Sequence, residues 1–223
     1  MFQIKKGTRL QGSLFLLITL SVFCVFYFSF KELFLEKEVV FELAQKADFS
    51  KEYKKAERYY LLATKAENKN LKRLSCYYLG LLYKKTNKDT GVKNFKKAEN
   101  YLKEAAILGL KEAQYELALL YDTGDKVQED RAAALYWMEQ SAAQDFAEAQ
   151  YALAVWQERG YYGKVDMQKA LSLYEKAANK DYEPAVKGLA LIYKLGAEGI
   201  SPDEKKASFW MKKVLKNKKE RNM

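Results

Sequence analysis

One short block recurs along this chain at a fixed step, and a fixed step admits few folds. Leu117-Ala118-Leu119-Leu120 returns as Leu153-Ala154-Val155-Trp156 and then as Leu189-Ala190-Leu191-Ile192, 36 residues apart each time. Leu79-Gly80-Leu81-Leu82 is an earlier copy, offset by 38. Gly124, Gly160 and Gly196 keep the step of 36. Asn94, Asp130 and Asp166 keep it too, and Asp203 follows 37 later. A period of this size marks a repeat array, in which each unit buries its apolar surface only against its neighbours.

Each unit reads as two helices. In the first, apolar groups fall at i, i+4, i+7 and i+8: Ala113, Leu117, Leu120, Tyr121, and again Ala185, Leu189, Ile192, Tyr193. In the second they begin Ala98, Tyr101, Leu102, Ala105, Ala106. Three later copies start at Ala134, Ala170 and Ala207. Both patterns are one stripe of a 3.6-residue period. Each stripe opens on a small residue and continues with large ones, so two backbones can approach while a ring or Leu fills the adjoining groove. Ala56, Tyr59, Tyr60, Ala63 and Thr64 fit the second-helix stripe 42 residues before Ala98, which leaves room for inserted loops around residues 68–70 and 87–91.

The boundaries follow the same step. Gly124, Gly160 and Gly196 come after first helices, where a residue of positive φ ends a helix cheaply. Asp130 and Asp166 stand where second helices begin, and read as caps rather than catalytic acids. Ser201-Pro202-Asp203-Glu204 reads as a capping box with Pro at the first helical position. Pro184 opens the last first helix.

A second feature precedes the array. Residues 10–30 carry no charge. As a helix they reach roughly 30 Å, the thickness of a bilayer core. A cleaved secretory signal is the competing reading. It calls for small residues after the apolar run, and here stands Tyr27-Phe28-Ser29-Phe30. An uncleaved transmembrane helix fits better. Lys5, Lys6 and Arg9 flank it on one side, which places residues 1–9 in the cytoplasm and the array across the membrane. Residues 31–47 are helical in character and feed the array, as a juxtamembrane helix or as its missing first helix. The solenoid then covers 48–217, with clear units at 75–113, 114–149, 150–185 and 186–217, and residues 218–223 form a basic tail.

The run Leu117-Ala118-Leu119-Leu120-Tyr121, with Asp130, Ala134, Trp137, Ser141-Ala142 and Ala149, resembles the Sel-one-like repeat, a relative of the tetratricopeptide repeat. The resemblance implies an all-α, right-handed α/α superhelix whose concave face binds other proteins. It implies no catalytic residues. Gly80 keeps the glycine that the family often has where Ala118, Ala154 and Ala190 stand.

The chemistry of the side chains agrees with a binding role. The chain has no histidine, which removes His-based acid–base catalysis and most zinc sites. Its two cysteines, Cys24 and Cys76, are far apart, and no phosphate-cradling glycine motif occurs. No catalytic residue, metal ligand or cofactor is therefore expected. The net charge is +10, but the two ends carry most of it and the body keeps about +2, so nucleic acid is not an expected partner. Tyr77, Tyr115 and Tyr151 occupy equivalent first-helix positions, continued by Lys187. By the resemblance they would line the concave face. Tyr suits binding, although the same rings could instead pack between repeats. The leading expectation is a membrane-anchored, protein-binding scaffold or adaptor of the bacterial envelope, single-pass in the inner membrane with a periplasmic array. The alternatives are an immunity protein that neutralises a secreted antibacterial effector, such as a type VI secretion lipase, and a carboxylate-dependent hydrolase.

Overall fold

The computed structural model describes residues 35–85, 94–123 and 129–221. Among them lie ten α-helices in five pairs. The first pair is α1 (Lys37–Phe49) with α2 (Tyr53–Ala63), and the second α3 (Lys69–Lys84) with α4 (Phe95–Ile107). Then come α5 (Lys111–Thr123) with α6 (Arg131–Ala143), and α7 (Ala147–Arg159) with α8 (Met167–Asn179). The last pair is α9 (Glu183–Leu195) with α10 (Glu204–Arg221). Each first helix also packs on the second helix before it. The result is an all-α repeat solenoid. Among the described residues no helix is long and apolar enough to cross a membrane. The span expected at residues 10–30 lies outside the described residues, as do Gly124 and the loop at 87–91.

The stripes read from the sequence form the core. Ala113, Leu117, Leu120 and Tyr121 of α5 are buried, as are Ala185, Leu189, Ile192 and Tyr193 of α9. The core runs in three segments, and shared side chains join them: Leu74 and Tyr101 touch the first two, Leu173 the last two. Helix α1 buries Val40, Phe41, Ala44 and Ala47 and takes the place of the first helix of the leading pair. Residues 37–47 thus pack into the array as the first helix of that pair, the second of the two readings of this stretch. The loop expected around residues 68–70 lies at 64–68. The side chain of Asn68 accepts from the Asn70 and Leu71 N–H groups, at 2.9 and 3.2 Å, and starts α3.

The caps recur like the stripes. The side chains of Asn94, Asp130, Asp166 and Asp203 each accept a hydrogen bond from the N–H three residues on, at 2.9–3.0 Å. Such a bond satisfies one of the orphan donors at a helix start. The capping box expected at Ser201 is displaced. Ala197 and Ile200 pair as an isolated bridge, the Asp203 N–H donates to the Tyr193 carbonyl at 2.7 Å, and α10 starts only at Glu204. Asp203 is thus the cap, and Pro202 precedes the helix. First helices α7 and α9 end on Gly160 and Gly196, at φ of 63° and 79°.

Second helices α4, α6 and α8 end on a different turn, the one that also closes α1 at Lys51. Its positive-φ residue is Gly109, Asp145 or Asp181, and the next N–H returns to the carbonyl of Ala105, Ser141 or Ala177. Asp at such a φ is uncommon but tolerated. At Asp145 the side chain accepts from Gln150 Nε2 at 3.0 Å and pairs with Lys180 at 3.1 Å. Across the same junctions, Gln114 Nε2 donates to the Ala106 carbonyl and Gln150 Nε2 to that of Ala142, each at 3.2 Å. Val186 stands where the next glutamine would be, and there Lys213 Nζ donates to the equivalent carbonyl, Ala178, at 2.7 Å.

Within each pair the helices meet on a small residue. A Cβ at Gly80 would lie 2.6 Å from Leu102 Cγ and 3.3 Å from the Leu102 backbone nitrogen, and Leu102 is fully buried. Later units carry Ala118, Ala154 and Ala190 with Met138, Tyr174 and Met211 at the Leu102 position. Gly80→Ala is expected to destabilise the array by about 1–3 kcal/mol through overpacking, against about 1 kcal/mol of gained helix propensity. Leu102→Met should recover part of the loss, with both read by urea unfolding. Asp166→Ala should cost about 1 kcal/mol in the same assay, and Asp166→Asn much less.

Tyrosines also bridge neighbouring helices. Tyr121 donates to Glu99 and Tyr193 to Glu175, both at 3.0 Å. Burial first, then the carboxylate partner, pushes each phenol up to about 12. The unfolded phenol titrates near 10. The folded state therefore favours the neutral phenol, and the stabilisation present below pH 10 is lost as pH rises through about 12. The melting temperature should fall across that interval, and Tyr121→Phe with Tyr193→Phe should flatten the fall.

Candidate protein-binding face

The repeat places Tyr77 on α3, Tyr115 on α5 and Tyr151 on α7 at equivalent points, and all three are half-buried. Lys187 on α9 is exposed and pairs with Glu183 one turn earlier. The rings do not stand free. Tyr115 meets Phe146 edge-on, with centroids 5.5 Å apart. Tyr151 meets Tyr182 at 5.4 Å and Tyr174 at 5.6 Å. Phe146 and Tyr182 are the residues just after the positive-φ aspartates, so each turn between repeats places a ring beside the tyrosine of the preceding first helix. Tyr77 instead meets its neighbour Tyr78 at 5.4 Å. The column therefore has a packing role at the junctions, while each ring keeps part of its surface toward solvent.

Carboxylates surround these rings. Burial first, then Glu116 and Glu112, pushes the Tyr77 phenol up to about 12. Burial, Tyr182, Glu116 and Glu148 do the same for Tyr115. Burial and Glu148 also raise Tyr182. At neutral pH the phenols are therefore O–H donors set among anions. Glu116 is bound by Lys84 Nζ. Glu112 Oε2 is enclosed and accepts no hydrogen bond among the described residues. The sequence reading found the tyrosines and missed Phe146, Tyr182, Glu112 and Glu148. The signal was present: 146 and 182, and 112 and 148, are 36 apart, the step that aligns Tyr115 with Tyr151.

Other groups offer little chemistry. Cys76 is buried, and burial ahead of Glu104 pushes its thiol up to about 12, far from a reactive thiolate. No group of His, Cys, Asp and Glu that could hold a metal occurs among the described residues.

Comparison with known proteins agrees with this architecture. No curated protein matches the sequence significantly. A Sel1 repeat protein from Oxalobacter formigenes superposes with a TM-score of 0.70 at 26% identity, covering 82% of this chain and 73% of that one. A protective antigen of uropathogenic Escherichia coli displaying an SLR fold gives 0.68 at 26% identity; the match covers 82% of this chain but only 38% of the antigen. An immunity protein from Pseudomonas aeruginosa gives 0.55 at 22% identity, covering 81% and 67%, and at that identity shares the fold alone. The sequence profile of the Sel1 repeat matches four times, at residues 73–110, 111–146, 147–182 and 185–214. These four matches take in well over half of the sequence, and the chain belongs to the Sel1 repeat family.

Proposed function

We propose that this protein is a non-catalytic scaffold of the bacterial envelope. In this reading residues 10–30 anchor it in the inner membrane, the array lies in the periplasm, and the first-helix face binds protein partners. The observation that supports it best is the aligned column of Tyr77, Tyr115 and Tyr151, edged by Glu112, Glu116 and Glu148 and continued by Lys187. Part-exposed tyrosines bring large contact area at small entropic cost, and ordered carboxylates add direction. Sel1 repeats serve protein–protein interaction, which suits such a face.

The second reading is an immunity protein stationed at its target. It draws on the Pseudomonas aeruginosa protein, whose likeness carries architecture and not a target. The two readings differ in the partner, a resident envelope protein or an incoming effector.

A photo-crosslinking residue at position 148, with the chain in native membranes, should capture a defined protein. The same residue at position 139, exposed on second helix α6, should not. Equal capture at both positions, or none at 148, would reject the binding face. Loss of the protein from membranes in alkaline carbonate would reject the anchor.

A further inference from the structure

The stripe that joins one repeat to the next does not stop at the last pair. Leu102, Met138 and Tyr174 are equivalent second-helix residues, exposed by 0%, 0% and 3%. In α8 the first helix that follows lies close by: a Cβ on Gly188 of α9 would be 3.9 Å from the Tyr174 ring. The same position in α10 is Met211, and it is 45% exposed. One turn further on, Ala106, Ala142 and Ala178 are buried, whereas Leu215 is 55% exposed. Met211, Leu215 and the buried Ala190 of α9 line an open groove edged by Lys194, Lys212 and Glu204. From Glu204 to Leu215 it follows α10 for about three turns, roughly 16 Å. The first helices that fill the inner junctions, α7 and α9, are 13 residues long, a similar reach.

We infer that this groove is a docking site for an amphipathic helix of another protein, of the first-helix type, with carboxylates flanking its apolar stripe. Continuity with the inner junctions gives the shape. The same groove one repeat earlier is filled by a first helix that brings a small residue against Tyr174. The rim gives the charge. Lys194 and Lys212 against Glu204 leave it net positive, which favours an acidic helix. It also disfavours a second copy of this chain, because a two-fold contact would bring four lysines together. Helix-in-groove binding of this kind uses anchors at i, i+4 and i+7, the spacing of Ala113, Leu117 and Leu120 in α5. This surface is separate from the tyrosine column, and the inference does not rest on that column.

The test uses the full-length chain in detergent micelles and a labelled, hydrocarbon-stapled peptide copying residues 111–123. That segment carries the stripe together with Glu112, Glu116 and Asp122 against Lys111. Fluorescence anisotropy should show saturable binding that a scrambled peptide lacks. Met211→Glu with Leu215→Glu should weaken binding at least tenfold and leave the circular-dichroism melt unchanged, since both side chains are exposed. Lys194→Glu with Lys212→Glu should weaken it and remove its salt dependence. Absence of saturable binding, or binding that survives both pairs of substitutions, would overturn the proposal. So would a dimer in sedimentation equilibrium that Met211→Glu and Leu215→Glu dissociate, because a second copy would then be the occupant.

Discussion

A helix pair of this size cannot bury its own apolar stripe, and everything else in the molecule follows from that deficit. The stripe of each second helix is closed only when the next first helix lies across it. Inside the pair a small residue faces a large one: Gly80 meets Leu102, and Ala118 and Ala154 stand at the Gly80 position with Met138 and Tyr174 at that of Leu102. Volume is shared differently from unit to unit. A uniform repeat of large residues would hold the backbones apart, and a uniform repeat of alanine would bury too little area to offset the ordering of ten helices.

The polar groups are arranged around that contact. Caps close the starts of α4, α6, α8 and α10, and positive-φ turns close the ends of α4, α6 and α8. Gln114 and Gln150 reach across the junction and bring a second donor to a carbonyl in the last turn of the preceding helix, which already accepts the Gly109 or Asp145 N–H. The tyrosines of the first helices then rest on the rings that these turns present. Packing and binding therefore draw on the same side chains, and what a partner meets is the exposed edge of a structural element.

The helical pairing, the stripes and the caps were legible in the sequence because each repeats, and a repeated residue identifies its role by its position. Legibility failed where one copy departs from the rest. At Ser201-Pro202 a local bridge between Ala197 and Ile200 moved the helix start to Glu204, and only three-dimensional pairing shows that. The place of α1 stayed between two readings because it has no earlier copy to align with, although its burial places it among the repeats. The tyrosine column was found by its spacing. That its rings lean on Phe146 and Tyr182 was not, because periodicity aligns equivalent positions and says little about which different positions touch.

The exchange of an amide for a lysine at the final junction has a mechanical consequence. Two junctions are fastened by neutral glutamines alongside the ion pairs of Lys84 with Glu116 and Lys180 with Asp145, and the amide part of that hold is nearly independent of ionic strength. The third is fastened by Lys213, which spans the Ala178 carbonyl and the Asp181 carboxylate, partly in reach of solvent. Mobile ions compete for a tether of that kind. Where an amide shares the hold, part of it survives added salt; at the last junction Val186 offers no amide, and rising salt would loosen that end before the two glutamine junctions.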